Sequence, residues 1–172
     1  ETRTSTKQID LLTAAKESQL IASDSLTSNK FNWDLSPYKD ESATLTKIID
    51  GQLSCEGTFV NKRKVEWPAP YVPANDFYLA VDAKLAKGTK DIIGYGLFFR
   101  RSGSKEYYLK ITDTQTLTFF YYDGQKWETL IDWLYIPVLR PGQYNRIAVI
   151  ADGEHFYFYV NDQMISDVEN RQ

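Results

Sequence analysis

Between residues 77 and 85 the chain alternates: Phe77, Leu79, Val81, Ala83 and Leu85 are apolar, and Asp82 and Lys84 fall between them. A two-residue period is the mark of a strand with one buried face, because successive side chains point to opposite sides. Tyr78 and Ala80 soften the second face of this segment. Further along, Ile147, Val149 and Ala151 alternate with Arg146, Ala148 and Ile150, and Phe156, Phe158 and Val160 interleave with His155, Tyr157 and Tyr159. The last pattern predicts one core face and one face of rings with polar tips. Asp-Gly pairs at 50–51, 123–124 and 152–153 separate the runs 44–49 and 52–57, 116–122 and 126–132, and 144–151 and 155–160. Asp-Gly suits a type I′ hairpin turn, in which both central residues take positive φ. A shorter turn at Asn161-Asp162 leads into 163–166. Closely spaced antiparallel strands of this kind predict an all-β sandwich or barrel.

Residues 6–22 break this rhythm. Ile9, Leu12 and Ala15, with Leu11, Leu20 and Ile21 nearby, fall close to helical spacing among good helix formers. They predict a short amphipathic helix, either packed on the sandwich or serving as a stalk toward a membrane anchor outside the chain. A polar linker, 23–30, follows. The expected division is therefore a helix or stalk over 1–25 and a sandwich over 26–172.

Composition changes the picture modestly. With 172 residues and 42% hydrophobic content, one domain with one core plus an appendage is expected. Twelve Tyr and nine Phe favour strands over helices. A net charge of −3 with interspersed signs gives no electrostatic footprint for nucleic acid. Cys55 is alone, which excludes an intrachain disulfide and reads as a small buried hydrophobe. No apolar run reaches the roughly 20 residues a membrane-spanning helix needs.

Six segments, in order, carry a family resemblance: the Asp50-Gly51 hairpin and Trp67-Pro68; Phe77-Tyr78-Leu79-Ala80-Val81-Asp82-Ala83; Gly94-Tyr95-Gly96-Leu97-Phe98-Phe99-Arg100; Tyr107-Tyr108-Leu109-Lys110-Ile111; Gly124-Gln125-Lys126-Trp127; and Asn145-Arg146-Ile147-Ala148-Val149 leading to Phe158-Tyr159-Val160-Asn161-Asp162. From Phe31 to Val168 the chain resembles the concanavalin-like, or laminin-G-like, jelly rolls of bacterial surface proteins. Within these it is most similar to the group of 3-keto-disaccharide hydrolase domains and the extracytoplasmic ends of bacterial membrane proteins. The resemblance implies a two-sheet antiparallel jelly-roll sandwich with a short N-terminal helix, set outside the cytoplasm as a cell-surface, periplasmic or secreted domain. Members continue past the last hairpin with a further strand. The early stop at Gln172 therefore suggests a shorter last strand, a cut chain, or a strand from a partner or from a removed C-terminal part that completes the sandwich edge.

The chemistry points to binding. His155 is the single imidazole, so any Ser–His–Asp or Cys–His arrangement would have to use it, and its place beside a hairpin is ordinary. One His and one Cys are too few for a zinc site. Retaining glycosidases of this fold gather acids as Glu-x-Asp-x-x-Glu, and no such run occurs; Asp82 and Glu154 stand apart. Calcium stays open, although Asp113 and Asp123 stand singly at turns, where an Asp commonly bonds its own backbone. Sugar rings stack on Trp and Tyr while their hydroxyls meet Arg, Asp and Asn. Trp67, Tyr107, Tyr122, Trp127 and Trp133 are the aromatic candidates. Arg100 is the polar one, and the resemblance implies that it points into the concave face. Against each stands core packing, and for Arg100 an ion pair with a neighbouring acid.

The reading is a non-catalytic binding domain for carbohydrate or glycoconjugate, with no metal site and no cofactor. The alternative is an assembly domain that pairs with another surface protein through an open strand edge or the N-terminal helix. A divergent glycosidase-like enzyme comes third. An exposed face of Trp and Arg would favour the first, a strand edge filled by another chain the second, and two carboxylates facing each other across a cleft the third.

Overall fold

The computed structural model describes residues 11–33, 35, 44–57, 74–88 and 94–170. The chain divides into two compact units, one joining the residues through Ser18 to Ala74–Gln172 and the other formed by Gln19–Pro73. The division differs from the expected boundary at residue 25. The N-terminal helix belongs with the sandwich, and the residues after it form a separate unit.

In the smaller unit, β1 (Thr44–Ile49) and β2 (Gln52–Gly57) pair as an antiparallel hairpin. Asp50 and Gly51 have φ of 50° and 68°, as a type I′ turn requires. Cys55 is exposed on β2, contrary to the buried position expected of it. The segment read as a linker is tied down: Trp33 donates from Nε1 to Asp24 Oδ2 (2.8 Å) and from its backbone to Asn29 Oδ1 (2.6 Å).

The larger unit is a two-sheet antiparallel sandwich, one of the two all-β architectures that the alternation and turn spacing predict. One sheet has the order β10-β9-β8-β3, built from β3 (Phe77–Ala83), β8 (Asn145–Asp152), β9 (His155–Val160) and β10 (Gln163–Glu169). The other is a meander of β4 (Gly94–Ser102), β5 (Lys105–Thr112), β6 (Thr116–Tyr122) and β7 (Trp127–Tyr135). The chain crosses after β3, completes the second sheet, and returns as β8 beside β3. Alternate residues fill the space between: Tyr107, Leu109 and Ile111 from β5, Leu117, Phe119 and Tyr121 from β6, Ile147, Val149 and Ala151 from β8, and Phe156, Phe158 and Val160 from β9.

Turn chemistry departs from expectation at two of the three Asp-Gly pairs. Asp152 pairs with His155, so the two-residue loop is Gly153-Glu154, with positive φ at Gly153 and not at Glu154. Tyr122 pairs with Trp127, leaving a four-residue loop in which Asp123 Oδ1 accepts from the backbone N–H of Gln125 (2.7 Å) and Lys126 (2.8 Å). The second turn with two positive φ values is Asn161-Asp162, at 51° and 65°. Asn161 is suited to it because Asn tolerates the left-handed region, and its side chain also donates to Val138 O and Asn145 Oδ1, both at 2.9 Å.

Helix α1 is described over 11–17 and ends short of the expected residue 22. Leu20 and Ile21 lie beyond it and are exposed. Instead of leading away as a stalk, the helix lies on the outer face of the β10-β9-β8-β3 sheet. Leu12 is buried with Ala148, Ile150 and Tyr159, and Lys16 pairs with Asp162 at 2.7 Å. This explains the polar-tipped rings on β9: they form the surface beneath the helix. β10 runs three residues further than expected and bonds along its length to β9. Among the described residues no strand pairs with its other edge.

Burial pushes the phenols of Tyr95 and Tyr107 upward; the Asp113 carboxylate adds to the effect at Tyr95, and Tyr121 at Tyr107. A group with a raised folded-state pKa contributes stability that is complete below its unfolded value and is lost as pH rises through the folded one. Stability should therefore fall as pH climbs past about 10, where unfolded tyrosines ionise. In urea titrations, Tyr107→Phe should flatten that decline, with tyrosinate absorbance reporting ionisation; an unchanged slope would contradict the assignment.

Candidate functional site

The register of the β4-β5-β6-β7 sheet sends one set of side chains inward and leaves the other on its outer face. Phe98, Tyr108 and Phe120 lie side by side across β4, β5 and β6, and Tyr122 faces Trp127 across β6 and β7. Phe98 and Tyr108 stack with ring centres 4.0 Å apart and planes 5° off parallel. Trp127 stands edge-on to Phe120 (6.2 Å, 81°) and Tyr108 (6.4 Å, 67°), and lies at 5.0 Å and 30° from Tyr122. These neighbours hold the indole in place, yet 44% of Trp127 stays exposed. Further along β7, Trp133 is 52% and Tyr135 63% exposed. Two register shifts between β6 and β7 accommodate the extra residues of this long edge strand.

Lys110, which pairs with Thr118 of β6, sits beside Trp133 and away from the Tyr122–Trp127 row. Its ammonium lies 5.3 Å from the centre of the Trp133 ring. Its stem crosses Gly94, where an added Cβ would fall 2.2 Å from Lys110 Cε and 2.8 Å from Cγ. The glycine makes room for the side chain to lie along the sheet. Burial lowers the pKa of this lysine, and among the described residues no carboxylate pairs with it. At the other end of the face, Glu106 is buried and its Oε2 meets Arg101 at 3.1 Å.

No protein-family model matches the sequence, and no curated protein matches it. Among solved structures the chain is similar to the carbohydrate-binding module CBM66 from Bacillus subtilis, at 18% identity and a TM-score of 0.49, over 56% of this chain. The match spans 60% of that module's length. A likeness of this depth assigns no ligand.

The candidates read from the sequence separate into two groups. Tyr122 and Trp127 come together on the outer face, with Trp133 on the same strand. Tyr107 does not join them: it is 7% exposed, packs in the core against Phe156 at 4.8 Å, and its hydroxyl accepts from Asn170 Nδ2 at 3.0 Å. Trp67 lies outside the described residues. Arg100 takes a structural position. It occupies a bulge where the register shifts between Phe99 and Ser102, and its φ is 49°. Nε donates to Asn75 O (3.0 Å), Nη1 to Gly153 O (2.6 Å), and Nη2 to Asn75 O, with Asp76 Oδ1 at 3.5 Å from Nη2. The guanidinium lies 4.8 Å from the centre of the Phe156 ring. All three nitrogens serve the fold, joining the segment before β3 to the β8–β9 turn.

The acids behave similarly. Asp123 bonds its own turn, as expected. Asp113 does not: it is buried, accepting from Tyr95 Oη at 3.2 Å and from the Gly142 N–H at 2.8 Å. His155 Nε2 meets Asp167 Oδ2 at 2.8 Å on the outer face of the other sheet, its ring stacked on Tyr157 at 4.4 Å. Among the described residues, no group of three or more His, Cys, Asp or Glu is gathered in a metal-binding arrangement. Sequence reasoning passed over Lys110, whose position between glycines on one strand and Trp133 on another depends on pairing across four strands. The only local signal was Gly94-Tyr95-Gly96, two alternate glycines that clear one face of β4.

Removing a charged group that donates three hydrogen bonds to loop carbonyls costs up to about 1.5–3 kcal/mol per hydrogen bond, less where the carbonyl meets water. Arg100→Gln is therefore expected to lower the urea midpoint strongly, whereas Trp127→Ala should cost about 1 kcal/mol or less, because the ring is well exposed. Equilibrium unfolding of the two variants checks this; equal losses would contradict the separation of clamp from platform.

Proposed function

We propose that the chain is a non-catalytic, extracytoplasmic domain that binds carbohydrate or glycoconjugate on the outer face of its β4-β5-β6-β7 sheet. The observation that carries this reading is the pair of exposed indoles, Trp127 and Trp133, on one edge strand, with Tyr122 beside the first. Large aromatic rings are normally drawn into the core, so their exposure on a rigid support marks a surface that meets something apolar and flat. The C–H faces of a sugar ring fit that description. The edge-on packing of Trp127 on Phe120 and Tyr108 fixes its orientation in advance, which lowers the entropy lost on binding.

Several of the described carboxylates have structural tasks, which supports a binding role over a hydrolytic one. Asp82 pairs with Arg146 (3.2 Å), Glu106 with Arg101, and Asp167 with His155, while Asp113 and Asp123 hold backbone N–H groups. An assembly role would use the outer edge of β10. β10 carries a register shift against β9 between Met164 and Ser166 and exposed acids at Asp167 and Glu169, features that discourage strand addition.

A glycan array, followed by titration of the strongest ligand, tests the proposal. Binding is expected to at least one class of polysaccharide, and Trp127→Ala should weaken it about tenfold, equivalent to roughly 1.4 kcal/mol. Absence of binding to every glycan, together with a stable multimer in solution, would favour the assembly role instead.

A further inference from the structure

We infer that the glycan this face accepts is anionic, and that Lys110 and Trp133 form a distinct subsite for its carboxylate or sulfate group. The inference rests on the proposed function, which it narrows to a ligand class. Four observations on the same face lead to it. Lys110 projects from the middle strands of the sheet, where a strand position flanked by Tyr108 and Thr112 on its own face would ordinarily hold an uncharged side chain. Its stem lies across Gly94, in space that any larger residue would fill. Its ammonium is directed over Trp133, a ring that is itself half exposed, so the charge is reachable from solvent at the strand edge. Finally, no carboxylate among the described residues neutralises it, in contrast to Lys16, Arg101 and Arg146, which pair with Asp162, Glu106 and Asp82.

The surrounding charges leave this cation as the natural partner for an acid group. Glu106 lies at the far end of the face and is matched by Arg101. Asp132, next to Trp133 in sequence, accepts at Oδ1 from the backbone N–H of Trp133 at 2.8 Å. Lys126 in the β6–β7 loop and Lys105 at the start of β5 act on the Asp123 carboxylate. A half-buried cation without a counter-ion gains more from an arriving anion than a fully hydrated one, because part of its desolvation has already occurred. The Lys110 and Tyr122–Trp127 rows are separated by four residues along β6, about 14 Å at the rise of an antiparallel strand. An oligosaccharide can thus place a ring on Trp127 and an acid group near Lys110.

Isothermal titrations with dextran, dextran sulfate, polygalacturonate and poly-glutamate separate the outcomes. Polygalacturonate or dextran sulfate should bind at least about tenfold tighter than dextran, and the advantage should shrink with added salt. Lys110→Gln should remove that advantage, bringing the affinities for acidic and neutral glycans together; Trp127→Ala should weaken the charged and neutral glycans while keeping their ratio. Which of the two acidic polymers binds tighter identifies carboxylate or sulfate as the preferred group. Equal affinity for dextran and both acidic glycans, or an equal loss of all three with Lys110→Gln, would overturn the inference and leave the proposed function standing. Poly-glutamate binding as tightly as polygalacturonate would overturn it in favour of an acidic peptide. Binding to none of the polymers would overturn the inference, and the glycan array decides the function on which it rests.

Discussion

The ring of Phe156 meets Phe99, Tyr107 and Phe119 across the gap between the sheets, at centre-to-centre distances of 5.7, 4.8 and 5.6 Å. Phe119 in turn touches Phe158 at 4.6 Å. These rings come from β4, β5, β6 and β9, so a single aromatic layer joins strands of both sheets. Its tilted and edge-on geometries are those that aromatic quadrupoles favour. Because strand side chains alternate, fixing which residues enter this layer also fixes which ones face outward. A one-residue slip in β6 would bury Tyr122 and Phe120 and expose Phe119. The outer surface of the sheet is thus determined by the packing beneath it.

Polar groups secure the ends of that layer without competing for its centre. Arg100 sits over Phe156 and satisfies carbonyls from two loops, and adopting its left-handed backbone costs about 1–2 kcal/mol, offset by those bonds. Asn145 is fully buried with its amide spent on Arg140, Gln143 and Asn161. With the loops held in this way, the two outer faces can take different tasks. One is covered by α1 through Leu12, over Tyr159 and Ile150. The other bears the exposed indoles and Lys110.

Much of the fold was legible in local patterns. Phe156, Phe158 and Val160 enter the core and His155, Tyr157 and Tyr159 turn away from it, as their alternation implies. The bounds of β1, β2, β6 and β9 follow directly from hairpin spacing. Turn type was less legible, since Asp152-Gly153 and Asn161-Asp162 exchange the roles their composition suggests: cross-strand register, rather than the dipeptide alone, decides which residues are central. The helix stopped early because tertiary contact with Ala148 and Ile150 involves only Leu12 and its neighbours. The site was half legible. Tyr122 and Trp127 flank one hairpin, so their meeting could be foreseen. The burial of Tyr107 and the use of every Arg100 nitrogen depend on a core and a bulge that no local spacing encodes.

The measurement that bears most directly on this architecture is the stability of Phe156→Ala, compared with Phe120→Ala on the outer face, by denaturant unfolding. Removing the ring that contacts three others across the sandwich should cost about 3–5 kcal/mol, while the half-buried Phe120 should cost markedly less. Comparable losses for the two, or a loss below about 1 kcal/mol at Phe156, would contradict an inter-sheet aromatic layer as the constraint on which the exposed face depends.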